Sequence, residues 1–171
     1  MLENKIWRWL DEVVIGEQLC PFAKKPRHQD KIFLYVSKAK SHETTLEIVA
    51  EQLSYLTNNP DIDTTLLALE HGYEDFFHYL DLVDAAQALL EELGFEGIFQ
   101  LASFHPKYVF DAEPTNSNSH FTNRSPCPII HILREQDITK ALATTASPEA
   151  IPERNIAHTE KLGADFFKKY L

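Results

Sequence analysis

TTLLALE, residues 64–70, is the run on which the fold turns. Its centre is apolar without interruption and lacks the in–out alternation of a strand with one wet face. That pattern marks a strand covered on both sides, which belongs to a sheet flanked by helices. The neighbouring sequence agrees. Upstream, KIFLYVS (31–37) reads as a β-branched, aromatic-rich strand. Ser41 then caps a helix to about Asn58, with Leu46, Val49, Leu53 and Leu56 as its apolar stripe and Asn58-Asn59-Pro60 as its stop. Downstream, His71-Gly72-Tyr73 turns the chain into a helix from about Asp75 to Leu93, closed by Gly94. IFQLASF (98–104) and IIHILRE (129–135) read as two further strands. An amphipathic helix over 3–19, ended by Cys20-Pro21, opens the chain, and helices at about 136–145 and 153–170 close it.

Helices alternating with strands predict an α/β fold: one domain over 1–171, with a four-stranded, largely parallel or mixed sheet and flanking helices. The alternative is a ferredoxin-like α+β sandwich, in which the second strand runs antiparallel. If strands one to three are parallel, their carboxyl ends share a rim carrying Ser37, Lys38, Lys40, Glu70, His71 and His105, and open α/β sheets bind ligands at that edge.

Charge narrows the function classes. The net charge of −10, from 16 basic and 26 acidic residues, argues against a nucleic-acid or anionic-membrane surface, which needs a basic field. Residues 1–19 hold no uninterrupted apolar core of the signal-peptide kind, because Asp11, Glu12 and Glu17 fall within them. No apolar run approaches the ~18 residues of a membrane span. A cytoplasmic protein is expected, with Cys20 and Cys127 as free thiols. The sequence sets no oligomeric state.

The strands at 98–104 and 129–135 are separated by a long polar excursion, residues 105–127. Compact domains seldom carry such a segment unless it binds something. Within it, His105 precedes Pro106 and so ends its strand extended, placed as a general base or ligand; the bland alternative is a strand-end His bonded to backbone. Tyr108 stands near it. Asn123-Arg124-Ser125 reads as an anion-binding run, since Arg presents a planar fork to carboxylate or phosphate. Equally, Arg124 would tie the loop to an acidic neighbour such as Asp111 or Glu113. The run 115–119, TNSNS, is polar enough to be mobile.

His131 lies on the strand face of Ile129 and Leu133, either as a core-edge His satisfied by a neighbour or as part of the site. Arg134 is a strand-end charge or a second cation for substrate. Cys20 is a candidate nucleophile if a His or the basic run at 24–28 lowers its pKa, and a buried structural thiol otherwise. No metal is expected, because no zinc-ligand spacing occurs. No cofactor is expected, because there is no glycine-rich phosphate loop among only five glycines.

CPFA (20–23), LASFHPKYVF (101–110), TNRSPCPIIHILRE (122–135) and IPERNIAHTEKLG (151–163) together resemble an uncharacterised bacterial family known as a domain of unknown function. The resemblance covers nearly the whole chain and implies no activity. It places that family's motifs on Cys20, His105, Tyr108, Asn123, Arg124, Ser125, His131, Arg134 and Asn155. An aromatic residue is usual in the family where Cys127 stands.

Two functions fit these residues. One is a small-molecule enzyme acting on a small anionic metabolite, with Cys20, His105 and His131 as the chemical groups and Tyr108, Asn123, Arg124, Ser125 and Arg134 holding substrate. The other is a non-catalytic ligand-binding or interaction module, for which Trp7 and Trp9 on the first helix would offer a surface unless they are core.

Overall fold

The computed structural model describes residues 1–171. Strands β1 (Ile32–Ser37), β2 (Thr64–Leu69), β3 (Phe99–Phe104) and β4 (Ile129–Arg134) form one mixed sheet in the order β1-β2-β4-β3. β1 and β2 are parallel, and β4 runs antiparallel to both β2 and β3. β1, β2 and β3 therefore point the same way and end on one rim. The parallel β1–β2 pair rules out the ferredoxin-like alternative. All six residues of β2 are buried, as its apolar run requires of a strand inside a sheet with both faces covered.

Helices α3 (His42–Asn58) and α4 (Phe76–Glu92) cover the back face. Their side chains Val49, Leu53, Tyr79, Leu82 and Leu90 meet Leu67, Leu69, Ile130 and Ile132. Both helices start as their sequences dictate: Ser41 accepts from Thr44 N at 3.3 Å, and Asp75 from His78 N at 2.8 Å. Fully burying a Leu or Ile side chain is worth about 1.5–3 kcal/mol, so this face is a main source of stability.

The front face is covered by the first helix. It begins as α1 (Leu2–Trp9) and continues as a π-helical turn (Leu10–Ile15). Ile6, Trp9, Leu10 and Val13 pack there on Leu66, Ala68 and Ile129. Trp9 is core, whereas Trp7 lies under Arg27, whose guanidinium stands 4.3 Å from its ring. The basic run at 24–28 forms a short helix, α2 (Lys24–His28). Beyond β4 come α5 (Glu135–Thr144), α6 (Ile151–Leu162) and α7 (Ala164–Lys168). The helix expected over 153–170 is broken at Gly163, whose φ of +76° takes the chain out of helix. Phe167 of α7 stacks on Phe121 at 4.8 Å, closing the front core.

The candidate functional site

The excursion 105–127 is packed and internally bonded. His105 is fully buried on the back side, with Phe76 and Tyr79 against its ring. Its Nδ1 accepts from Lys107 N at 3.0 Å, which leaves Nε2 as the protonated nitrogen, donating to Tyr73 O at 2.9 Å. Burial holds its pKa down. Both nitrogens of the neutral ring are thus occupied by backbone, as in the blander of its two readings. His120 is fixed the same way, accepting from Phe110 N at Nδ1 and facing Pro114 O through Nε2.

Asn123 donates to Ser103 O at 3.1 Å. Ser125 donates to Cys127 O at 2.6 Å and is fully buried. Arg124 donates through Nε to Tyr108 O at 3.1 Å and stacks on Phe121 at 4.7 Å, while its own carbonyl accepts from Trp9 Nε1 at 2.9 Å. Neither Asp111 nor Glu113 pairs with it, and partial burial lowers its pKa. Tyr108 contributes its carbonyl to Arg124 and its ring to Phe76 and Phe110. The run 115–119 is pinned rather than loose, because Glu160 of α6 accepts from Ser117 Oγ, Asn118 N and Asn118 Nδ2.

Arg134 sits at the opposite rim. Its guanidinium donates to the carbonyls of Leu56, Asn59 and Ile62 at 2.6–3.1 Å. It thereby braces the carboxyl end of α3 and the loop into β2, where Leu56 O and Asn59 O also accept from Asn59 N and Ile62 N.

A cavity of about 410 Å³ lies on the front face at the amino ends of β1 and β2. It is bounded by Cys20–Ala23 and Pro26, by Ile32, by Asp63, Thr64 and Leu66, by His131, Leu133 and Arg134, and by residues 137–145 along α5. No residue of the excursion lines it, nor does His105. It stands at the rim opposite the one expected from strand direction. The reason is packing: at the carboxyl rim Trp9, Phe104, Phe121 and Phe167 fill the front face.

Two of the predicted chemical groups line this cavity, Cys20 and His131. Thr64 Oγ1 donates to Ile132 O at 2.6 Å and lies 2.6 Å from His131 Nε2. A hydroxyl has one proton, so Nε2 is the donor to Thr64 and Nδ1 is the ring's lone-pair nitrogen. Nδ1 makes no bond within the protein and is not among the sealed, unpartnered polar atoms, which are His42 Nε2, Gln52 Oε1 and Thr65 Oγ1. Burial lowers the His131 pKa to about 4, so the ring is neutral at physiological pH.

Cys20 is placed by a latch from α6. Asn155 Nδ2 donates to Leu19 O at 2.8 Å and Arg154 to Gln18 O at 2.6 Å. Gln18 holds a left-handed φ of 55° between them. Burial raises the Cys20 pKa, and nearby backbone N–H groups of Phe22 and Ala23 only partly offset this. The lowered thiol pKa expected from the basic run is therefore not realised; Arg27 of that run is turned away to Asp11, at 2.8 and 2.9 Å. Cys127 is also free, buried, and pushed up to about 12.

The sequence reading missed Thr64, Lys25, Asp63 and Lys140, all at the cavity. Asp63 is 3.7 Å from Lys31, and Lys140 is 3.7 Å from Asp137. The one sequence signal for Thr64 was a polar residue opening an otherwise apolar strand.

No group of three or more His, Cys, Asp or Glu side chains is placed to hold a metal ion, and no helix is long and apolar enough to cross a membrane. No curated protein and no solved structure matches the chain. A family model matches residues 1–169, and the chain belongs to that family, described as a protein of unknown function, DUF1415.

Proposed function

We propose that the protein binds a small anionic molecule in the front-face cavity, with Cys20 and His131 at the surface the ligand meets. The observation that carries this is the cavity itself. At about 410 Å³ it falls in the size range of small-molecule sites, with apolar walls and few polar groups, as such sites have. A positive local balance supports the anion: Lys25, Arg134 and Lys140 line it against Asp63 and Asp137, in a chain of net charge −10. The neutral His131 and the protonated Cys20 suit ligand binding better than a preformed thiolate nucleophile. A cytoplasmic setting fits the two free thiols.

The test is alkylation of Cys20 by iodoacetamide, followed by peptide mass, with benzoate, octanoate or inorganic phosphate present. At least one probe should slow Cys20 several-fold. Ala141→Trp, which fills the cavity from α5, should remove that protection. The reading fails if no probe slows Cys20, or if the filled variant is protected as well as the native protein.

A catalytic role is favoured by one observation, the lone pair of His131 Nδ1 facing a cavity that also holds a thiol. In that reading His131 Nδ1 accepts a proton from one atom of the substrate and the Cys20 thiol donates one to another. His131→Gln would then abolish turnover while leaving probe binding in place, and a variant that binds and turns over normally sinks it.

A further inference from the structure

We infer that the occupant is an amphipathic monoanion, an alkyl or aryl carboxylate, with its apolar body against the sheet and its charge at the mouth beside Lys25. This rests on the small-molecule reading above and narrows it to a ligand class and an orientation.

The walls supply the first observation. Leu10, Phe22, Ile32, Leu66, Leu133 and Ile138 line the cavity, and its surface is mostly carbon. A hydrophilic anion seated deep would lose its hydration against these side chains and recover little.

The floor supplies the second. An anion needs donors, and few are free. Thr64 has given its single proton to Ile132 O, and His131 has given its Nε2 proton to Thr64. What His131 offers the cavity is the Nδ1 lone pair, which repels a carboxylate. Arg134 gives Nε and Nη2 to three backbone carbonyls, which leaves Nη1 as its one unbonded nitrogen. Beside that nitrogen Cys20 is left, and a thiol is a weak donor.

The mouth supplies the third. Lys25 is exposed and has no carboxylate partner, whereas Lys140 is paired with Asp137. Lys24, Lys25 and His28 line a shallow recess that shares Pro21 and Lys25 with the cavity. The cavity's unpaired lysine therefore stands where the cavity adjoins a basic recess, while Leu66 and Leu133 of the sheet supply apolar wall. At ~30 Å³ for each water-sized group, 410 Å³ takes on the order of a dozen heavy atoms, a carboxylate on about eight to ten carbons.

The experiment is a calorimetric affinity series on the full chain with hexanoate, octanoate and decanoate, against 1-octanol, inorganic phosphate and citrate. Affinity should rise about fourfold per added methylene until the cavity is full. Octanol should bind more weakly than octanoate, and Lys25→Glu should weaken octanoate several-fold while leaving octanol unchanged. A flat series overturns the proposal, as does phosphate or citrate binding as tightly as octanoate; the small-molecule reading survives both. Octanol equal to octanoate, with Lys25→Glu silent, overturns the orientation and the anion together. No binding by any probe overturns this proposal and the reading beneath it.

Discussion

The carbonyl of Leu19 accepts a hydrogen bond from Asn155 Nδ2 at 2.8 Å, across 136 residues of sequence. Cys20 follows immediately, so a side chain from α6 determines where the thiol stands. Asn155 is 5% exposed, and its Oδ1 also accepts from Arg154 at 3.2 Å. Asn155→Ala leaves a buried carbonyl without its partner and should cost about 2 kcal/mol, in the range for an orphaned buried acceptor. Chemical denaturation measures the loss, and Cys20 should alkylate faster in the variant. Unchanged stability and an unchanged Cys20 rate would show that the latch holds nothing.

Arg134 is expected to matter for stability more than for charge. Its fork serves carbonyls of Leu56, Asn59 and Ile62 that a point-charge ammonium cannot reach together. Arg134→Lys should lose roughly half the stability that Arg134→Ala loses, itself on the order of 3 kcal/mol. Urea unfolding of the two variants checks this. Full rescue by Lys would mean that charge alone is at work.

Acid should weaken the fold through His131. Its folded pKa of about 4 lies below the ordinary 6.5. Between those values the unfolded chain binds a proton that the folded chain does not. Stability is therefore fully present above about pH 6.5 and is lost as pH falls toward 4, with a ceiling on the order of 3 kcal/mol. His105, also held down by burial, acts in the same direction. His131→Gln keeps an N–H for Thr64 and removes the titration, so its stability should fall less between pH 7 and 4.5. Parallel curves for variant and native protein would contradict the assignment.

Cys20 should react slowly at neutral pH, because burial raises its pKa. Its alkylation should rise roughly tenfold per pH unit up to and beyond pH 9, as thiolate forms. Cys127, pushed to about 12, should lag behind it throughout. Peptide mass after timed iodoacetamide treatment separates the two sites. A fast Cys20 at pH 7 would indicate an activated thiolate and favour nucleophilic catalysis.

The frame was legible because strand and cap signals are local. TTLLALE reads as buried and is buried; Ser41 and Asp75 read as helix starts and are caps. The roles within the excursion were not legible, because the deciding partners are remote. Nothing near His105 in sequence says that Tyr73 O will take its Nε2 proton, and nothing near Arg124 says that Trp9 will hold its carbonyl from 115 residues away. A histidine with both nitrogens bonded to backbone and one with a free lone pair are the same letter. The cavity escaped for a related reason. Its lining comes from Cys20–Ala23, from Asp63 and Thr64, from the end of β4 and from α5, and no single window of sequence contains it. The break at Gly163 is different: the glycine was in plain view, and its φ of +76° is what glycine allows.

The most direct test of the cavity as binding site is to titrate octanoate into the isotopically labelled protein and follow backbone amide shifts residue by residue. The account predicts that the shifts concentrate on 20–25, 131–134 and 138–145, leaving 105–127 unmoved. Shifts centred on Arg124 and the excursion would put the anion site where the strand directions first suggested, and would contradict the account.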